Sequence, residues 1–214
     1  MSSADLKSVW FALWRRLAAV GDAGAVYEEL VAAYSEPGRF YHTLEHLEQC
    51  LSEFASVSAA ELNADAIEFA LWFHDAVYDT RSKDNEERSA ELAQRVMRSA
   101  LLSDSLGTLV ARLILATRHS APPQTLSEQL IVDIDLSILG QDRSRFDEYE
   151  RQIRSEYAWV PEDAFRNGRS AILSSFLSRP RIYSTEAFYR RYEAAARENL
   201  VRSISQLGGA QRPG

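Results

Sequence analysis

Apolar residues recur along the chain at intervals of three and four, the spacing of one face of an α-helix, from near the start to near the end. Trp10, Leu13, Trp14 and Leu17 make the apolar stripe of a first helix. DAGAVYEELVAAYSEPG predicts a second, stopped by Pro37 and Gly38. TLEHLEQCLSEFASV predicts a third with Thr43 as its N-cap. NADAIEFALWFHDAVY predicts a fourth, apolar on most sides and therefore central. DNEERSAELAQRVMRSALL and LGTLVARLILATRHS follow as a fifth and a sixth. After the break at Pro122 and Pro123, TLSEQLIVDIDLSILG runs to a stop at Gly140. RSRFDEYERQIRSEYAWV, PEDAFRNGRSAILSSFLS and TEAFYRRYEAAARENLVRSISQL complete the pattern, and in the last Phe188, Tyr192, Ala195, Ala196, Leu200 and Ile204 share one face. There is no internal repeat, low-complexity tract or long linker, and the expected fold class is all-α.

VDIDLSI also alternates as a half-buried strand would. A lone strand among helices would leave its backbone groups without partners, so a helix is favoured. On that helix Asp135 shares a stripe with Ile131, Ile138 and Leu139, whereas Asp133 lies toward Gln129 and Ser137, nearer the polar side. An aspartate in an apolar stripe needs a partner, because a buried carboxylate alone is too costly.

Composition narrows the picture. The chain has 214 residues, enough for one substantial core, with 46% hydrophobic and 26% charged residues. A net charge of −7 argues against a nucleic-acid polymer as partner but leaves room for a small phosphorylated molecule. Cys50 stands alone, so the sequence offers no disulfide and no thiolate metal cluster. MSSADLKSVWFALWRRLAAV is interrupted by Arg15 and Arg16, and no run of 18 apolar residues occurs, so a cytoplasmic protein with no membrane association is expected.

Candidate chemistry lies with four histidines, each near a predicted helix end. His74 and Asp75 close an apolar run, where two ionisable groups are expensive unless compensated. A divalent cation would compensate both; a buried His–Asp hydrogen bond or a helix end reaching solvent would also account for them. His42 and His46 stand at i and i+4, a metal-ligand spacing when both are helical. With Thr43 as N-cap, however, His42 falls outside the helix, and one histidine can bind metal while the other faces substrate. His119 ends its helix, where it can complement the helix dipole or act as a ligand.

The ordered set His46, His74-Asp75 and Asp135 resembles the metal-binding signature of the His–Asp (HD) domain superfamily of metal-dependent phosphohydrolases. YHTLEH resembles the YHNxxH motif of cyclic-nucleotide phosphodiesterases in that superfamily, with Thr43 in place of the asparagine; the resemblance implies a proton donor at His42 and a metal ligand at His46. IDLS at 134–137 resembles their ADLS and favours Asp135 over Asp133. A closer resemblance, to bacterial predicted HD phosphohydrolases of about this length, is carried by RFYHTLEHL, WFHDAVYD, DNEERSA, DIDLSILG, IRSEYAWV, GRSAILSSFLSRPRIY and ARENL. It implies a compact HD-domain helical bundle with additional C-terminal helices. Residues 1–207 would form a single HD-type domain, with its metal-site core at about 38–140 and C-terminal helices at about 142–207, and 208–214 a disordered tail.

The implied centre holds one divalent ion (Mn, Fe, Mg, Zn or Ni not distinguished) on His46, His74, Asp75 and Asp135, with His42 as general acid. Glu86 would orient water or hold a second metal, although DNEER also reads as an acidic first helical turn. His119 and Asp79 are candidates for a second metal or for substrate. Arg39 is the favoured phosphate-binding residue by proximity, ahead of Lys83, Arg118, Arg154, Arg169 and Arg197. Tyr41 and Tyr78 could stack on a base or pack in the core. The expected activity is hydrolysis of a phosphoester of a small molecule, a nucleotide among the candidates. Its rivals are a nucleotide-sensing HD domain without turnover and a di-iron HD-type oxygenase. The aromatic C-terminal third leaves a homodimer open.

Overall fold

The computed structural model of the chain describes residues 3–57 and 63–209. Among these there are ten α-helices, one 3-10 helix and no strand, so the protein is all-α. None of these helices is long and apolar enough to cross a membrane. The chain divides into two compact units, Met1–Ile134 and Asp135–Gly214.

The first unit holds α1 (Ser3–Arg16), α2 (Ala23–Tyr34), α3 (Leu44–Ala55), α4 (Ala64–Phe73), α5 (Asn85–Ser99), α6 (Asp104–Ala116) and α7 (Leu126–Asp135), the last residue of α7 beginning the second unit. Every residue of α4 from Ala66 to Phe73 is buried, and α4 packs on α1, α3, α5 and α6. Such a helix, apolar all round, is stable only at the middle of a bundle. Trp10 of α1 seals one side, its ring centroid 5.2 Å from Trp72 and 5.7 Å from Phe69. The one carboxylate in that buried run, Glu68, pairs with Arg16 at 2.5 Å; burial raises its carboxyl and the guanidinium opposes the rise.

Side-chain caps fix where these helices start. Asp22 accepts from the Gly24 and Ala25 amides at α2, and Ser103 from the Leu106 amide at α6. At α7 a capping box forms: the Thr125 hydroxyl accepts from the Glu128 amide at 3.3 Å, while the Glu128 carboxylate accepts from the Thr125 and Gln124 amides. Contrary to the expected polar side, Asp133 is fully buried, because α7 is enclosed on nearly every face from Ser127 to Ile134. Asp135, expected in the apolar stripe, is half-buried at the point where the α-helix tightens.

The second unit holds the 3-10 helix Leu136–Gly140, α8 (Arg143–Glu156), α9 (Glu162–Leu177) and α10 (Glu186–Gly208). VDIDLSI is thus helical throughout, α to Asp135 and 3-10 beyond. α10 packs on α9 and on the 3-10 helix, with Phe188, Tyr192, Ala196 and Leu200 buried. A Cβ on Gly140 would lie 2.5 Å from the Cβ and 2.8 Å from the carbonyl oxygen of Tyr192, so the glycine permits close backbone approach besides ending the 3-10 helix. Asn199 donates to the carbonyls of Leu139 and Gln141, and the Tyr183 hydroxyl to that of Leu136. Of the expected tail 208–214, Gly208 closes α10 and Gly209 caps it, while 210–214 lie outside the described residues.

Candidate metal centre

The centre begins at the start of α3. Thr43 is extended at φ −116° and its hydroxyl accepts from the Glu45 amide at 3.3 Å, the geometry of an N-cap. His42 therefore lies outside the helix, His46 sits in its first turn, and Cys50 follows one turn on. His46 and Cys50 are each 1% exposed. The His42 ring stacks on Tyr78 with centroids 4.1 Å apart and stands edge-on to Tyr41 at 5.0 Å.

The second segment of the site comes from the end of α4. The helix stops at Phe73, with His74 as its C-cap and Asp75 next along the chain. The turn that follows is tied to α5. The Val77 amide donates to the buried Ser89 hydroxyl at 3.0 Å, and the Asp79 amide to the Asn85 side chain at 3.0 Å.

These two segments bring three acceptor-bearing groups together. His46 Nε2 lies 3.1 Å from His74 Nε2 and 3.4 Å from Asp75 Oδ2, and His74 Nε2 lies 3.1 Å from the same carboxylate oxygen. The tautomer of His74 is set, because its Nδ1–H donates to the Leu71 carbonyl at 2.8 Å, leaving a lone pair on Nε2 of the neutral ring. A single proton on His46 Nε2 could satisfy one neighbour, whereas a cation satisfies all three at once. Ligands about 2.1 Å from a shared ion stand about 3.0 Å apart at a right angle and about 3.4 Å apart at the tetrahedral angle. The observed separations fall in that interval, so these residues fit a divalent ion. The outward imidazole N–H bonded to a backbone carbonyl is also how metal-bound histidines are oriented.

Two further groups join. α7 delivers Asp135 at its end, and the ligand atoms of His46, Cys50, His74 and Asp135 all lie within 4.8 Å of one another. Asp135, not the buried Asp133, is the member of this group. Cys50 is a member of the group that the sequence reading did not name, the lone thiol of a mixed set. Its Sγ is 3.7 Å from His46 Nε2 and 3.8 Å from Nδ1, beside the imidazole rather than on one lone-pair axis. The signal was available, since Cys50 follows His46 by four residues and so shares its helical face.

Burial pushes the Asp75 carboxyl upward, but the neighbouring His74, His42 and His46 imidazoles outweigh it and hold the group well below the usual carboxylate range. Tyr34 forms part of the wall. Burial pushes its hydroxyl up to about 12, and that hydroxyl donates to the Trp72 carbonyl at 3.3 Å.

Arg39, expected to bind phosphate, is engaged by the protein itself. Its guanidinium has five N–H groups, and all are engaged by the protein. Nε donates to Glu36, Nη1 to the carbonyls of His42 and Asp75, and Nη2 to the Ala76 carbonyl and to Glu36. The other arginine candidates are likewise occupied. Arg118 pairs with Glu87, Arg154 with Glu162, Arg169 with Glu150 and Arg197 with Glu193.

Glu86 is half-buried in the first turn of α5, its carboxyl raised by burial and further by the charge of Asp75. Asp79 is not drawn in: it is exposed, and its carboxylate accepts from the Arg81 amide at 2.9 Å to hold the turn. His119 lies just past α6 with φ at 57°, a left-handed backbone that histidine adopts more readily than most residues. Neither of them, nor Asp75, belongs to the four-residue group of candidate metal ligands found among the described residues; Asp75 adjoins that group through His46 and His74.

Fold and site together define an all-helical protein with a largely buried His/Cys/His/Asp cluster that could hold a metal ion. No protein family, curated protein or solved structure matches the chain.

Proposed function

We propose that the protein is a metal-dependent phosphohydrolase, cleaving a phosphoester of a small molecule, with a nucleotide the leading candidate. The observation that carries this reading is the convergence of His46, His74 and Asp75, whose acceptor atoms stand 3.1–3.4 Å apart with one imidazole tautomer fixed by a backbone carbonyl. The HD-type motifs and the helical fold support it. His46, His74, Asp75 and Asp135 would hold the ion, which when bound would polarise a phosphoryl oxygen and lower the pKa of an attacking water.

The remaining work falls to the chain's own side chains. His42, outside the N-cap of α3 and supported by Tyr78, delivers the proton to the leaving oxygen from its imidazole. Glu86, whose raised carboxyl keeps it nearer to accepting and returning protons, orients water from the start of α5. His74 caps the enclosed helix α4, and His46 and His74 are each 1% exposed, which limits competing water at these two ligands.

A panel of phosphomonoesters, cyclic nucleotides and nucleotides, assayed with each divalent metal, tests this reading. His42→Ala should retain its metal and lose about 10²–10⁴-fold in kcat, the usual worth of general acid catalysis. Loss of metal from that variant would make His42 a ligand instead. A wild-type protein that binds nucleotide and metal but turns nothing over would replace hydrolysis with sensing.

A further inference from the structure

We propose that Arg39 is a positioning residue that locks the proton-donor segment to the ligand-bearing turn, so that affinity for the ion depends on it. This rests on the metal-centre reading above. Arg39 Nη1 donates both to the His42 carbonyl at 3.3 Å and to the Asp75 carbonyl at 2.6 Å, and Nη2 donates to the Ala76 carbonyl at 3.0 Å. One planar group thereby fixes two backbone segments whose side chains converge on the site from positions more than thirty residues apart. Glu36 steadies the guanidinium through Nε at 3.3 Å and Nη2 at 3.2 Å.

The guanidinium is also held between rings, 5.5 Å from the centroid of Tyr34 and 5.5 Å from that of Tyr78. Tyr78 in turn stacks on His42. Arg39 thus acts on His42 twice, through its carbonyl and through its ring support. The Arg39 side chain is 3% exposed, so water cannot readily replace these bonds when the side chain is removed. Lysine cannot substitute for this pattern, because its three N–H groups radiate from one atom and match no planar fork.

The test uses the full chain with Co²⁺ as the probe, followed by its visible absorption, with wild type, Arg39→Gly and Arg39→Lys compared. Wild type should take up one Co²⁺ per chain. Arg39→Gly should keep its helical circular dichroism but bind Co²⁺ about 10–100-fold more weakly, the range for loss of an outer partner of a metal site. Added guanidinium at a low, non-denaturing concentration should recover most of that affinity in Arg39→Gly and leave wild type unchanged. A gain confined to thermal stability, with Co²⁺ affinity unaltered, would overturn the inference. So would an Arg39→Gly variant that binds as wild type does. If the glycine variant does not fold, Arg39→Lys decides: a weaker affinity with an altered Co²⁺ spectrum supports the lock, and wild-type values overturn it. A wild type that takes up no Co²⁺ would bring down the metal-centre reading itself, a result separate from the others.

Discussion

The ring orientation of His74 follows from where α4 ends. Leu71 lies in the last turn, where carbonyls lack the partners that a continuing helix would provide, and its oxygen accepts the His74 Nδ1–H. Helix termination therefore leaves Nε2 as the candidate ligand atom, with no dedicated side chain needed to orient it. Asp75 completes the preparation, since imidazoles outweigh burial and keep it ionised. With its folded value depressed, the carboxylate's stabilising contribution is present above the ordinary unfolded value, about 4, and is lost as pH falls through the lower folded value. If His46 and His74 are ligands, binding requires both imidazoles deprotonated, and the pH dependence of binding should come chiefly from them. Zn²⁺ affinity, measured by competition titration at falling pH, should drop with a limiting slope of about two decades per unit, one for each imidazole that must be deprotonated. A flat profile through the range where imidazoles protonate would remove both histidines from the ligand set. His74 and Asp75 were legible at this scale because ionisable residues at the end of an apolar run demand a partner, whereas Cys50 was not read as a candidate. The place of Arg39 was not legible, since a sequence shows charge but not which backbone carbonyls will receive it.

Among the elements, the helices were legible because their apolar period is strong and some ends carry conventional signals: Thr43 before a start, Pro37 and Gly38 after a stop. What periodicity missed is polar. The buried face of α10 includes Glu193, Asn199 and Ser203 along with its aromatic and aliphatic residues. These side chains bond loop backbone and a buried ion pair. Glu193 accepts from the Ile182 and Tyr183 amides, and the Ser203 hydroxyl donates to Glu150, the partner of Arg169. Such positions resemble solvent-facing ones until the loops they serve are in place. The same holds for Asp133, whose α7 has no exposed side in its middle. Gly140 read as a helix stop, yet its more demanding role is contact with Tyr192. Gly140→Ala should therefore destabilise the protein by about 1–3 kcal/mol through overpacking, measured by urea unfolding. An alanine variant of wild-type stability would mean that α10 has room to yield at Tyr192.

At the scale of the whole molecule, the acidic chain balances a cluster of imidazoles near its most buried helix. The net charge of −7 is distributed over 31 acidic and 24 basic side chains, and the arginines named here are engaged in pairs and caps. Under the proposed function, phosphate recognition would fall to the ion and His42 more than to these arginines. The all-α class was readable because every segment carried a helical period, while the composition of the site needed the fold to bring positions 46, 50, 74, 75 and 135 into one neighbourhood. The most direct measurement is metal content by elemental analysis after dialysis against chelator and reloading with divalent ions, on wild type and Asp75→Ala side by side. One tightly held ion per wild-type chain and its loss from Asp75→Ala is the expected result; full metal occupancy in the variant, or none in wild type, would contradict the proposed centre.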